Sequence, residues 1–201
     1  MIKKLWNFVW SPSARFSLGG LIIFGMVVGI ILWGGFNWGL QVSNTEQFCT
    51  SCHEMRDNVF EESKSHIHYM NQYGVNAICA DCHEPHNDWF ALVWRKMKAS
   101  KELYHKVLGT ISTREKFLAH RRELAEEVWA TMKANDSAAC RHCHKVDRMD
   151  FSKQSRRARV SHQTMKQNGD TCIDCHKGIA HDKVKEDMNE EKQDENLDFT
   201  L

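Results

Sequence analysis

The sequence has little net charge, with 27 Lys and Arg against 26 Asp and Glu. That balance excludes a nucleic-acid binder working by bulk basicity. It has one long apolar run and is otherwise polar, which excludes a multi-span transporter. It is not poor in apolar residues as a disordered chain is: 42% are apolar and 7 are Trp. It has only 2 Pro and 3 Tyr, against 8 Cys and 12 His. A length of 201 residues is one ordinary domain with an attachment. The excess of Cys and His is what needs a chemical explanation. Disulfides, zinc, an iron–sulfur cluster and haem attachment all use cysteine, and spacing separates them.

The apolar run comes first. Lys3, Lys4 and Arg15 precede it with no acid among them, and from Phe16 to Gln47 the only charge is Glu46. Its core, Phe16 to Leu40, exceeds the roughly 20 residues a helix needs to cross hydrocarbon. A secretory signal has a shorter apolar stretch and then small residues. Here Trp33, Phe36 and Trp38 stand in that place. The run therefore reads as an uncleaved anchor with its basic end in the cytoplasm. Trp6, Trp10, Trp33 and Trp38 suit the two interfaces. The chain beyond Val42 faces the other side, which in a bacterium is the periplasm. Gly25-x-x-x-Gly29 matches a helix-packing pattern and offers a homodimer contact through the anchor.

All eight cysteines fall into C-x-x-C-H: Cys49 and Cys52 before His53, Cys79 and Cys82 before His83, Cys140 and Cys143 before His144, Cys172 and Cys175 before His176. This is the pattern of c-type haem attachment, in which two thiols form thioethers and the adjoining His lies under the ring. Zinc ribbons also use C-x-x-C, but they do not require His after each second Cys. Four self-closed C-x-x-C disulfides would staple almost nothing. The expectation is four covalently bound haem c groups.

The spacing is uneven, with the first two motifs close together, the last two close together and a longer stretch between. The chain reads as two dihaem halves. Further histidines repeat with them: His68 and His86 in the first half, His162 and His181 in the second. These four are the candidate distal ligands, with His66 a rival to His68. Which one crosses to which haem is not readable from spacing. His142, His105 and His120 read as ordinary residues. The first motif differs, because Met55 follows His53 in C-x-x-C-H-x-M and a thioether is a known axial ligand.

Trp89 to Val107 has apolar residues at helical spacing, so a helix with one buried face is expected, with Arg95 and Lys96 on its polar side near lipid headgroups or a quinone carbonyl. Ser112-Thr113-Arg114-Glu115 reads as a capping box opening a second helix that Asn135-Asp136-Ser137 ends. Asp182 to Leu201 carries eight acids and three lysines and reads as a disordered tail. The chain is short for four haems, so the rings must form much of the core, with propionates offset by the basic remainder of the chain.

Taken together, these residues resemble the NapC/NirT family of membrane-anchored tetrahaem quinol dehydrogenases. The anchor and four motifs carry the resemblance, with His83-Glu84-Pro85-His86, Lys98-Ala99-Ser100-Lys101-Glu102-Leu103-Tyr104 and the run from Cys172 to His181. It covers nearly the whole chain except the acidic tail. It implies oxidation of quinol (menaquinol or ubiquinol) near haem 1 and electron delivery to a periplasmic reductase, most typically nitrate reductase. A structural relay subunit tied to one reductase, such as nitrite reductase, is the alternative. It implies Met55 as an axial candidate at haem 1, with His53 the local rival, and releases His86 if haem 1 takes no distal His. Glu102 stands where the family has an acid at the quinol site, with Arg95 or Lys96 its cationic partner. The fifth haem domain of the trimethylamine-oxide branch is absent, which argues against that partner.

The expected fold is mainly α with irregular loops: one N-terminal transmembrane helix and a multihaem cytochrome c domain of two dihaem halves. The expected divisions are a basic N-terminus over 1–15, anchor 16–40, first half 41–86, helical linker 87–139, second half 140–181 and tail 182–201. The expected location is the bacterial inner membrane, single-pass, with the haem domain in the periplasm.

Overall fold

A computed structural model describes residues 2–12 and 15–184. Most of the acidic tail lies outside the described residues. The chain divides into two compact units at Ser43 and Asn44. Among the described residues there are helices, turns and loops and no strand.

The first unit holds α1 (Ile2–Trp10) and α2 (Leu18–Val42). Ser17 caps α2, its hydroxyl accepting from the Gly20 N–H at 3.2 Å. At 1.5 Å per residue, 25 residues reach about 37 Å, enough to cross a bilayer. The apolar side chains of α2 stay exposed, as they do in a helix whose solvent is lipid. Helical structure begins two residues after Phe16 and runs two residues past Leu40, so the span sits slightly later than the apolar run suggests.

In the second unit, short helices carry the four motifs. These are α3 (Glu46–Thr50), α5 (Cys79–His83), α8 (Ala138–Cys143) and α10 (Cys172–Cys175). A π-helical turn, Met55–Phe60, leads directly into α4 (Glu61–Ser63). Two long helices, α6 (Trp89–Val107) and α7 (Arg114–Ala134), join the second motif to the third. Two 3₁₀ turns and α9 (Arg156–Asn168) join the third to the fourth.

The caps explain the helix starts. Asp88 accepts from the Ala91 N–H at 2.9 Å and opens α6. For α7 the cap is Thr113 rather than Ser112, with its hydroxyl accepting from the Lys116 N–H at 3.3 Å. Ser112 instead donates to the Gly109 carbonyl at 3.0 Å, closing the loop before the helix. In α5, Asp81 reaches back to the Ile78 N–H at 2.8 Å. In α10, Asp174 reaches back to the Thr171 N–H at 2.8 Å. Motifs two and four thus share a C-x-D-C-H device in which the third residue caps its own helix.

The core is sparse. Among the described residues the buried apolar side chains are Phe117, Met165 and Ile173, while Glu54, Asn58, Glu62, Ser137 and Thr171 are buried polar ones. Three apolar side chains cannot offset the ordering entropy of a domain this long. So sparse an interior is what a chain that closes around attached groups would leave. One expectation is corrected here: α6 has no buried residue, since Phe90, Trp94, Met97, Leu103, Tyr104 and Val107 are exposed and Val93 is half-buried.

Replacing Cys172 and Cys175 together by Ser removes both attachment atoms of the last motif. Steady-state protein is expected to fall about tenfold or more as the unsupported domain is degraded. Haem-stained and immunostained gels of the same membranes check this; undiminished, protease-resistant protein would show that the polypeptide core suffices.

Candidate functional site

The motif helices are neighbours in chain order. Helix α3 packs on α5, and α5 on α8. The sulfurs of Cys49 and Cys79 share a hydrogen bond that lowers the Cys49 thiol to about 7 and raises that of Cys79. Burial pushes Cys82 up to about 11, with Cys140 and Cys143 of the next motif beside it. Ser137 ties the third motif to the fourth. It is fully buried in the left-handed region at φ 51°, and its hydroxyl accepts from the Ile173 N–H at 3.1 Å. A non-glycine residue there costs about 1 kcal/mol, and that cost is tolerated where a buried hydrogen bond needs the geometry.

Three of the motif histidines face a second imidazole. Ring centres are 6.2 Å apart for His83 and His181, 6.1 Å for His144 and His68, and 5.9 Å for His176 and His162. A metal–imidazole bond of about 2 Å, plus roughly 1 Å from nitrogen to ring centre, puts two axial imidazoles about 6 Å apart. All three pairs have that spacing, so the residues present fit haem iron between them. Among the described residues no three Cys, His, Asp or Glu side chains converge as a tetrahedral zinc site requires.

Hydrogen bonding sorts the remaining histidines. His68 donates Nδ1–H to the Ile179 carbonyl at 3.1 Å, His181 to the Val59 carbonyl at 3.1 Å, and His162 to Gln154 Oε1 at 2.8 Å. A donated Nδ1–H leaves Nε2 as the bare nitrogen that binds a metal. His66, His86 and His53 have the opposite arrangement. His66 Nε2 meets Asp182 at 3.2 Å, His86 Nε2 meets the Asp81 carbonyl at 2.7 Å, and His53 Nε2 meets Glu54 at 3.2 Å. His86 is also stacked on His142 with 4.2 Å between ring centres, too close for a metal between them. Burial lowers the pKa of His83 to about 4 and shifts His181 and His176 downward, favouring the neutral form that ligates.

At the first motif, His53 and Lys106 share the buried carboxylate of Glu54, with Lys106 Nζ at 2.6 Å. The Lys106 hydrogen bond holds Glu54 below the usual carboxylate range. Met55, half-buried, starts the π-helical turn beside it. On α6, Arg95 Nη1 donates to Glu102 Oε1 at 2.9 Å, and both charges act on the His83 ring. Lys96 turns elsewhere, to Glu84 at 3.0 Å. Of the two cations, Arg95 is the one joined to Glu102.

A buried ionic knot, which spacing did not reveal, holds His181 in place. Glu62 accepts two bonds from Arg121 at 2.7 Å each, has Arg114 at 3.7 Å, and accepts from the Asp182 N–H at 3.3 Å. Arg121 also donates to the Asp182 carbonyl. Arg114 donates to buried Asn58 at 2.9 Å, and Asn58 donates to the Glu54 carbonyl at 2.8 Å. No sequence signal marked Glu62, because its partners are about 60 residues away.

Comparison with known proteins agrees with this geometry. The family described as NapC/NirT cytochrome c family, N-terminal region, matches residues 11–186. The chain is 55% identical over 181 residues to the cytochrome c-type protein NapC of Paracoccus pantotrophus, covering 90% of this chain and 76% of that one. It is 53% identical over 183 residues to the denitrification system component NirT of Stutzerimonas stutzeri, covering 91% and 90%. It is 49% identical over 181 residues to NapC of Escherichia coli K12, covering 90% of each. No solved structure matches.

Arg121→Ala leaves the Glu62 carboxylate buried with only the more distant Arg114 and the Asp182 N–H. A loss of about 3 kcal/mol is expected, read as a lower denaturant midpoint of the haem-loaded protein. Glu62→Ala combined with Arg121→Ala should cost less than the two single changes added; strict additivity would show that the two do not interact.

Proposed function

The chain belongs to the NapC/NirT cytochrome c family, and on that premise we propose that it oxidises quinol at the periplasmic face of the bacterial inner membrane and delivers the electrons, through four covalently bound haem c groups, to a periplasmic reductase. The family resemblance points to nitrate reductase as the acceptor. The observation that carries this reading is the Arg95–Glu102 pair, 2.9 Å apart beside His83, in a chain that begins with a membrane-length helix.

The cysteines of each motif would hold a haem by two thioethers, and haem supplies a one-electron iron couple. His83 with His181, His144 with His68 and His176 with His162 would be the axial pairs, supported by their ring spacing and their donated Nδ1–H groups. At the first motif Met55 would hold the iron, a reading supported by His53 spending Nε2 on Glu54. Quinol oxidation releases two protons and two electrons. Glu102 accepts a quinol hydroxyl proton at the carboxylate oxygen that Arg95 leaves free, and Arg95 holds that carboxylate in place. The motif helices, packed in chain order, favour passage from the first motif toward the fourth.

In membranes containing the protein, a quinol analogue should reduce the haems, and Glu102→Gln should slow this by about 100-fold while dithionite still reduces them fully. A wild-type protein that no quinol reduces would overturn the reading. A reductase that co-purifies stoichiometrically would replace a mobile donor by a fixed relay subunit. The ligand set has its own test. By electron paramagnetic resonance, His181→Ala should convert one low-spin haem to high spin, whereas His86→Ala should leave the low-spin signals unchanged.

A further inference from the structure

Helix α6 has two opposed faces. Phe90, Trp94, Met97, Lys101, Tyr104 and Leu108 follow one another at steps of four and three residues, so they form a single line along the helix and its C-cap. The five apolar members are 58% to 79% exposed, and Lys101 is exposed among them. Arg95 and Lys106 lie roughly 140–160° around the helix from this line, at about 100° per residue. That far face is the one tied to the motifs, by Lys106 to Glu54 at 2.6 Å and by Lys96 to Glu84 at 3.0 Å. The apolar line therefore lies on the side of α6 opposite its ion pairs to Glu54 and Glu84. A contiguous apolar stripe on a soluble surface marks an interaction site.

We infer that this stripe seats in the periplasmic leaflet of the bilayer, so that α6 lies along the membrane surface as a second, lateral attachment. Three observations favour lipid over a protein partner. The membrane-length helix ends at Val42 and the second unit begins at Asn44, so the chain cannot carry the domain far from the surface. Trp94 and Tyr104 are the aromatic types that settle at the headgroup level. Lys98 and Lys101 flank them as an anionic leaflet requires, and Lys98 Nζ lies 5.8 Å from the centre of the Trp94 ring. This attachment does not depend on the quinol reading, but it would place Arg95 and Glu102 at the edge of the layer in which quinol is dissolved.

The test uses full-length, haem-loaded protein in nanodiscs of phosphatidylethanolamine and phosphatidylglycerol. A photo-cross-linking phenylalanine derivative replaces Met97 in one sample and Val160, exposed on α9, in another. Mass spectrometry should find lipid adducts from position 97 at least tenfold more abundant than from position 160. Trp94→Glu with Tyr104→Glu should cut the position-97 yield about tenfold, with haem content and dithionite reduction unchanged. Equal yields at the two positions, or adducts from position 97 to a second copy of the chain, would overturn the inference. So would adducts to a periplasmic protein when native membranes are used. Lipid adducts without quinol-dependent reduction would uphold the attachment and count only against the catalytic reading.

Discussion

Two crossings bring distant parts of the second unit together. His181, near the end of the described chain, meets His83 of the second motif, and His68, from the first half, meets His144 of the third. Each crossing joins residues far apart in sequence at the spacing of two ligands on one metal. The two stretches that the spacing separates therefore each supply a histidine that faces a motif histidine of the other. Only His162 and His176 are both supplied from the second half. With so few apolar side chains buried, these crossings and the rings they would enclose replace the contacts that an ordinary hydrophobic core provides.

Buried charge does the remaining positioning. Glu62, Arg121 and Arg114 fix the loop that presents His181, while Glu54 and Lys106 fix the end of α6 against the first motif. Buried ion pairs contribute less to stability than their geometry suggests, because desolvation offsets much of the attraction. Their contribution here is directional. A bidentate guanidinium–carboxylate pair admits one orientation, and an apolar contact would let the His181 loop slide.

Much of this was legible in the sequence. The span, the four motifs and the limits of α6 at Trp89 and Val107 follow from local pattern, and so does the end of α7 near Asn135. The cap of α7 falls one residue later than expected, because Thr113 takes the extended conformation a cap needs while Ser112 closes the preceding turn. The internal repeat raises four histidines and implies that equivalent positions have equivalent roles. His86 and His181 differ despite the repeat: one imidazole has Nε2 on the Asp81 carbonyl of its own motif, and the other has Nδ1 on a carbonyl 122 residues distant. That choice rests on long-range hydrogen bonds, which periodicity does not encode. The direction of the apolar face of α6 is hidden for a similar reason. Amphipathicity reveals that a helix has two faces, and only the ion pairs to Glu54 and Glu84 reveal which one is turned inward.

The π-helical turn from Met55 to Phe60 also connects the candidate ligands. Met55 stands at its start, and Val59, four residues later, offers the carbonyl that orients His181. Its wider winding sets the angle between those two directions. Deleting one residue there would let the segment relax into ordinary α-helix and draw Val59 about one residue rise closer to Met55. The turn acts as a register gauge between Met55 and His181. Its side chains are held as well as its length, because Asn58 within it is buried and bonded to both Glu54 and Arg114.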